Sequence, residues 1–144
     1  MYKFSKSSLE KLKTCDIRLQ EVFSEVLNYA DITIVYGYRS ITEQMELYKK
    51  GRELVEGRWV VKDKNGIVTY CDGIYTRSKH NNFPATAIDV APYPIDWTNT
   101  QRFNELSEVV KNIISKKNIP LVWGGDFKSI KDYPHWELNF KNDK

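Results

Sequence analysis

The segment Ala87-Ile88-Asp89-Val90-Ala91 constrains this chain more than any other stretch of comparable length. Four of its residues are small or apolar and read as a buried strand, while the fifth is a carboxylate. Alternation along a strand sends Ile88 and Val90 to one face and Ala87, Asp89 and Ala91 to the other. An ionised carboxylate in such a setting is costly unless it is paired or binds a metal. The flanking alanines leave space around it, as an approaching ion and substrate would require. Two readings of Asp89 stay open on these residues alone: a metal ligand, or a carboxylate that pairs with an arginine or caps a turn near a sheet edge.

The surrounding pattern predicts an α+β fold with helices packed against a small sheet. The 144 residues leave room for one hydrophobic core, so 1–144 is expected to be a single domain. The N-terminal third is helical in pattern, with Leu9, Leu12, Leu19, Val22, Phe23, Val26 and Leu27 as the apolar face and Ser7 with Glu10 as a capping box. The pattern stumbles at Thr14-Cys15-Asp16, which allows either two helices or one kinked helix. Asp31 to Tyr38 contains the β-branched run of a strand, and Ser40 with Glu43 opens a helix to about Lys50. Asn65-Gly66, between Trp59-Val60-Val61 and Ile67-Val68-Thr69-Tyr70, predicts a hairpin. A last helix follows Thr98 or Asn99, with Phe103, Leu106, Val109, Val110, Ile113 and Ile114 repeating at three and four; short strands follow at Pro120–Trp123 and His135–Phe140.

The chain has two histidines, each with a carboxylate nearby in sequence. His80 precedes Asp89 by a short loop, and the other lies in Asp132-Tyr133-Pro134-His135-Trp136-Glu137. Alternation places His135 and Glu137 on one face with Trp136 opposite, and a Tyr-Pro bend can swing Asp132 back towards the His135 ring. His80, Asp89 and His135 would make three protein ligands, the number catalytic zinc sites use while leaving a position for water. Asp132 could then take a proton from that water. Glu137 is either a partner that orients His135 or a solvated strand carboxylate. Arg39, in Gly37-Tyr38-Arg39-Ser40 just before a helix, is either an oxyanion or carboxylate partner facing a cleft or one half of a surface ion pair.

Taken jointly, these motifs resemble a family of zinc peptidases that includes D-alanyl-D-alanine carboxypeptidases and dipeptidases and the L-alanyl-D-glutamate endopeptidases of phage endolysins. The resemblance rests on Ser78-Lys79-His80, Ala87-Ile88-Asp89 and Asp132-Tyr133-Pro134-His135. Gly37-Tyr38-Arg39-Ser40 with Gln44 and Tyr48, Val90-Ala91-Pro92-Tyr93-Pro94 and Trp123-Gly124-Gly125-Asp126-Phe127 add to it. It implies a Hedgehog/DD-peptidase-like fold, a small antiparallel sheet with helices packed on it, with zinc on His80, Asp89 and His135, Asp132 as general base, and Arg39 as the group that stabilises the transition state. It further implies a peptidoglycan stem peptide as substrate, with the L-alanyl-D-glutamate bond expected to be cut. The alternatives are a D-alanyl-D-alanine carboxypeptidase and a wall-peptide-binding module that zinc merely stabilises. The commonest family spacing between the first His and the Asp is shorter than the eight residues found here, so the loop at 81–86 around Pro84 is expected to be longer without moving either ligand.

A formal charge of +3 with no run of basic residues argues against nucleic acid as a partner. No apolar stretch reaches membrane-spanning length, and Met1 to Lys6 lacks the apolar core of a secretion signal. A monomer, made in the host cytoplasm and acting on the cell wall after release, is expected. Cys15 and Cys71 form no CxxC pair; free thiols are the default, with a disulfide between them left open.

Overall fold

The structure, a computed structural model, describes residues 1–140. Its helices are α1 (Lys6–Leu12), α2 (Ile17–Val26), α3 (Ile41–Lys49) and α4 (Thr100–Lys117). Its strands are β1 (Ile32–Tyr36), β2 (Arg52–Val55), β3 (Arg58–Val61), β4 (Ala87–Pro92), β5 (Leu121–Trp123) and β6 (His135–Leu138). Four of these form an antiparallel sheet in the order β1-β4-β6-β5, and β2 pairs with β3 as a separate ribbon. The fold is α+β, as the hydrophobic periods imply.

Local chemistry sets the helix boundaries. Asp16 accepts from the Arg18 backbone N–H and starts α2 afresh, so the irregularity at Thr14–Asp16 separates two helices. The cap of α1 is Ser5, whose hydroxyl accepts from Ser8 N–H; Ser7 lies inside the helix, so the expected Ser7–Glu10 box does not form. Ser40 and Glu43 do make the reciprocal pair at the start of α3. Asn99 caps α4, and Asn118 closes it in the left-handed conformation at φ 56°.

The core lies between one sheet face and helices α2 and α4. Leu19, Val22, Phe23 and Val26 from α2 and Phe103, Leu106, Val110 and Ile113 from α4 are buried there with Ile88 and Val90 of β4. Trp136 on β6 completes it, stacked on Trp123 at 5.8 Å and edge-on to Phe23 at 6.2 Å. Burial of each such side chain contributes about 1.5–3 kcal/mol before entropy is charged against it. Because Ile88, Val90 and Trp136 take this face, strand alternation sends Asp89, His135 and Glu137 to the other. Sheet register therefore places the polar residues together.

The hairpin differs from the sequence expectation. Its strands are β2 and β3, joined by Glu56-Gly57 with φ values of 49° and 80°. Positive φ at both central positions is what the two-residue turns favoured between twisted strands demand. Asn65-Gly66 instead falls in a single 3₁₀ turn, where the Asp63 carboxylate accepts from Asn65 N–H, and residues 67–70 form no strand. The cysteines are free thiols; Cys15 is buried and Cys71 half-buried. No helix among the described residues is long and apolar enough to cross a membrane.

Candidate metal centre and active site

Asp89 and His135 are direct cross-strand partners in the β4–β6 ladder, so pairing alone brings carboxylate and imidazole together. His80 arrives from a 3₁₀ turn at Lys79–Asn81. Ser78 and Asn81 cap that turn reciprocally, with Ser78 Oγ accepting from His80 N–H and Asn81 Oδ1 accepting from Ser78 N–H. The turn is laced to the chain before α3: Arg39 N–H donates to His80 O at 2.8 Å, and Asn81 Nδ2 donates to Arg39 O at 2.8 Å. The result is a buried cluster in which one nitrogen or oxygen from each of His80, Asp89 and His135 lies within 4.8 Å of the others.

The outward nitrogens fix how the two rings are protonated. His80 Nδ1 lies 2.8 Å from Gly37 O, which can only accept, so Nδ1 carries the hydrogen and Nε2 offers a lone pair. That Nε2 is buried, has no hydrogen-bond partner, and sits 3.3 Å from Asp89 Oδ1. His135 is arranged in the opposite sense: Nε2 lies 2.8 Å from Glu137 Oε1, and Nδ1 faces Asp89 Oδ1 at 3.2 Å. With both rings neutral, as metal binding requires, two imidazole lone pairs and a carboxylate oxygen converge on one place. Lone pairs so directed repel unless a cation or a proton lies between them. This donor set fits a divalent metal with imidazole and carboxylate preferences.

The ionisation of the metal-free cluster follows from the same conflict. Burial alone would raise the Asp89 pKa, but in the metal-free cluster the close approach of the His135 and His80 rings outweighs it and holds the carboxyl well below the usual range. Burial would lower His135, yet its hydrogen bonds to Asp89 and Glu137 prevail and push it up to about 10. Glu137 is likewise desolvated, but His135 and Lys79 bring it down to about 2.

Asp132 and Arg39 flank this cluster. The Asp132 carboxylate is half-exposed, with Oδ2 4.0 Å from His135 Nδ1. Although half its surface is open, desolvation on the side facing the cluster, and then the negative charge of Asp89, raises its pKa above the ordinary carboxylate value. A carboxylate so shifted is better matched to accepting a proton near neutrality. Gly124 holds it in place, with Gly124 O accepting from Asp132 N–H at 2.9 Å. A Cβ on Gly124 would run into Asp132 O and would lie 3.0 Å from both Asp132 Cβ and His135 Cβ.

Arg39 is 7% exposed, which removes the surface-ion-pair reading. Its Nη2 is 3.6 Å from Asp89 Oδ2, its guanidinium lies over the Tyr36 ring at 4.5 Å, and its buried Nε has no partner. Asp89 therefore faces an arginine as well as two histidines, which meets the arginine-pairing reading and leaves it placed as a candidate metal ligand. Ala87 and Ala91 beside it are fully buried, so the room they leave is filled by packing rather than solvent. Of the open alternatives for Glu137, the structure selects the partner of His135.

Gln44, part of the segment that begins at Gly37, has a part that its sequence context does not define. Gln44 is fully buried; its Oε1 accepts from Arg39 Nη1 at 2.9 Å, while Nε2 donates to Thr69 Oγ1 and Cys71 O. A lone amide on a helix gives no sign of this, although its spacing one turn after the Ser40 cap places it beside Arg39. Gly37 was likewise unread: a Cβ there would strike Lys11 O and Thr14 Oγ1, so only glycine lets its carbonyl reach His80.

A family model described as phage L-alanyl-D-glutamate peptidase matches residues 1–141. The peptidoglycan L-alanyl-D-glutamate endopeptidase CwlK of Bacillus subtilis (strain 168) is 37% identical over 114 residues, which cover 75% of this chain and 60% of that protein's length. Among solved structures, the L-Ala D-Glu endopeptidase ChiX of Serratia marcescens aligns with a TM-score of 0.71 at 23% identity, covering 97% of this chain and 91% of its own. A point variant of the vancomycin-resistance D,D-pentapeptidase VanY, solved with Zn(II), aligns with a TM-score of 0.54 at 16% identity, covering 86% and 72%. These two likenesses speak for the fold, and the match along nearly the whole sequence speaks for kinship: the chain belongs to the phage L-alanyl-D-glutamate peptidase family.

Proposed function

We propose that the protein is a zinc-dependent peptidoglycan peptidase that hydrolyses the L-alanyl-D-glutamate amide bond of the stem peptide. The observation that carries the proposal is the convergence of His80 Nε2, Asp89 Oδ1 and His135 Nδ1, with the first of these buried and otherwise unpartnered. Zinc bound by these residues supplies a Lewis acid that acidifies a water and polarises a carbonyl. Asp132 takes the proton of the attacking water and delivers it to the leaving amine. Arg39, whose buried Nε has no hydrogen-bond partner, stabilises part of the charge that develops on the carbonyl oxygen. Gln44 keeps the guanidinium from swinging away.

The reading takes residues 1–144 as one catalytic domain that works as a monomer without nucleic-acid or membrane partners, made in the host cytoplasm and acting on the wall after release. Its test is mass spectrometry of purified muropeptides after digestion, with and without a chelator. Cleavage after L-alanine, exposing a glutamate amine and abolished by the chelator, is expected. Release of free D-alanine would replace the proposal with a carboxypeptidase, and intact muropeptides that still bind would replace it with a binding module.

A further inference from the structure

His80 and His135 come from separate segments, and besides Asp89 a side chain outside the candidate ligand set links those segments. Lys79, the residue before His80, points across to β6. Its ammonium donates to Leu138 O at 2.6 Å and lies 3.0 Å from Glu137 Oε2. The other oxygen of that carboxylate, Oε1, is the partner of His135 Nε2 at 2.8 Å. The chain of contacts therefore runs from Lys79 through Glu137 to His135 and on to Asp89, while the backbone of Lys79 leads directly to His80. The Lys79 carbonyl is itself engaged, accepting from Thr86 N–H at 3.2 Å, and Thr86 O accepts from Leu138 N–H at 2.9 Å. Lys79 is thus fixed at both ends.

Without this lysine, Glu137 would have one anchor, the ring it is meant to orient. Its side chain is 21% exposed and has open water to turn towards. A carboxylate held by two partners sets both the rotation of the imidazole and the nitrogen that keeps the hydrogen. We propose that Lys79 is a positioning residue for the metal centre: through Glu137 it locks His135 with Nδ1 facing the ion, and it couples that ring to the segment that carries His80. This rests on the zinc reading above, but it concerns a residue outside the ligand set and makes a different prediction.

The experiment measures Zn²⁺ affinity directly, by competition with a chromophoric chelator, so no peptidase activity is needed. Lys79→Met keeps the apolar stem and removes the charge; it is expected to weaken Zn²⁺ binding by about ten-fold or more. Lys79→Arg, which can still reach Glu137 and Leu138 O, is expected to restore most of that loss. In a Glu137→Gln background the same Lys79→Met change should add little, because the connection is already broken. Since the chain has only two histidines, imidazole ¹⁵N–¹H spectra of the zinc-loaded protein resolve each ring. The slowly exchanging Nε2–H of His135 should be lost in Lys79→Met while the Nδ1–H of His80 persists.

An equal loss in both backgrounds would overturn the proposal, since Lys79 would then act independently of Glu137. So would unchanged or tighter binding in Lys79→Met, which would show that its positive charge merely repels the cation. Wild-type protein that binds no Zn²⁺ would overturn the functional reading as well; wild-type binding with an indifferent Lys79→Met overturns this inference alone.

Discussion

Gly124→Ala places a methyl group against the segment that carries both Asp132 and His135. The added carbon would meet the Asp132 carbonyl oxygen more than about 1 Å inside ordinary contact distance, and would be 3.0 Å from Asp132 Cβ and His135 Cβ. The segment cannot retreat freely. Asp132 N–H is bonded to Gly124 O, and His135 N–H to Asp132 O at 3.1 Å. His135 is also tied into the β6 ladder opposite Asp89. Overpacking of this kind costs about 1–3 kcal/mol, so the melting temperature should fall by about 2–4 °C for each kcal/mol. The larger effect falls on turnover, because a displacement of about 1 Å in a catalytic group costs about a hundred-fold. The assay is hydrolysis of a defined muropeptide by the variant, with calorimetry on the same sample. A variant that loses stability but keeps wild-type turnover would refute the argument that Gly124 sets the position of Asp132.

Asp132→Asn keeps the shape of the side chain and removes the base; zinc content should be unchanged while kcat falls about 10²–10⁴-fold, as metal analysis and kinetics on one preparation would show. Arg39→Met should lower kcat by about 10²–10³-fold with zinc retained, and an effect confined to KM would assign Arg39 to ground-state binding instead. The metal-free protein should lose stability in acid with a definite sign. Glu137 is depressed from 4.5 to about 2 by its contacts with His135 and Lys79, against the opposing effect of burial, so its contribution is fully present above pH 4.5 and is lost as the pH falls towards about 2. Asp89, also depressed, adds to the loss on the acid side. Denaturant titrations of the metal-free protein from pH 6 downward should show this fall, and Glu137→Gln should make it shallower.

The site was legible in sequence where strand alternation does the positioning. Asp89 between Ile88 and Val90, and His135 and Glu137 around Trp136, follow from a period of two and the need to bury the apolar member of each pair. Their meeting depends on the β4–β6 register, which a local pattern does not encode. The hairpin was misplaced because Asn65-Gly66 has the stronger local propensity. Asp63 diverts that dipeptide into a 3₁₀ turn, while Glu56 adopts a positive φ that its side chain does not favour. Gly37 and Lys79 carry no local sign of their parts, which are defined by contacts across 43 and 59 positions of chain, and the anchor that fixes the Gln44 amide on Arg39 is Cys71 O, 27 positions away. An amide, a glycine and a lysine carry no mark of such partners in a single sequence.

The central claim is that His80, Asp89 and His135 hold one zinc ion between them. Anomalous diffraction at the zinc edge, from crystals of the zinc-loaded protein, locates the ion without reference to activity. The account predicts one peak within bonding distance, about 2.0–2.2 Å, of His80 Nε2, an Asp89 carboxylate oxygen and His135 Nδ1, with a position left for water. A peak elsewhere, or coordination of His135 through Nε2 with Glu137 displaced, would contradict it.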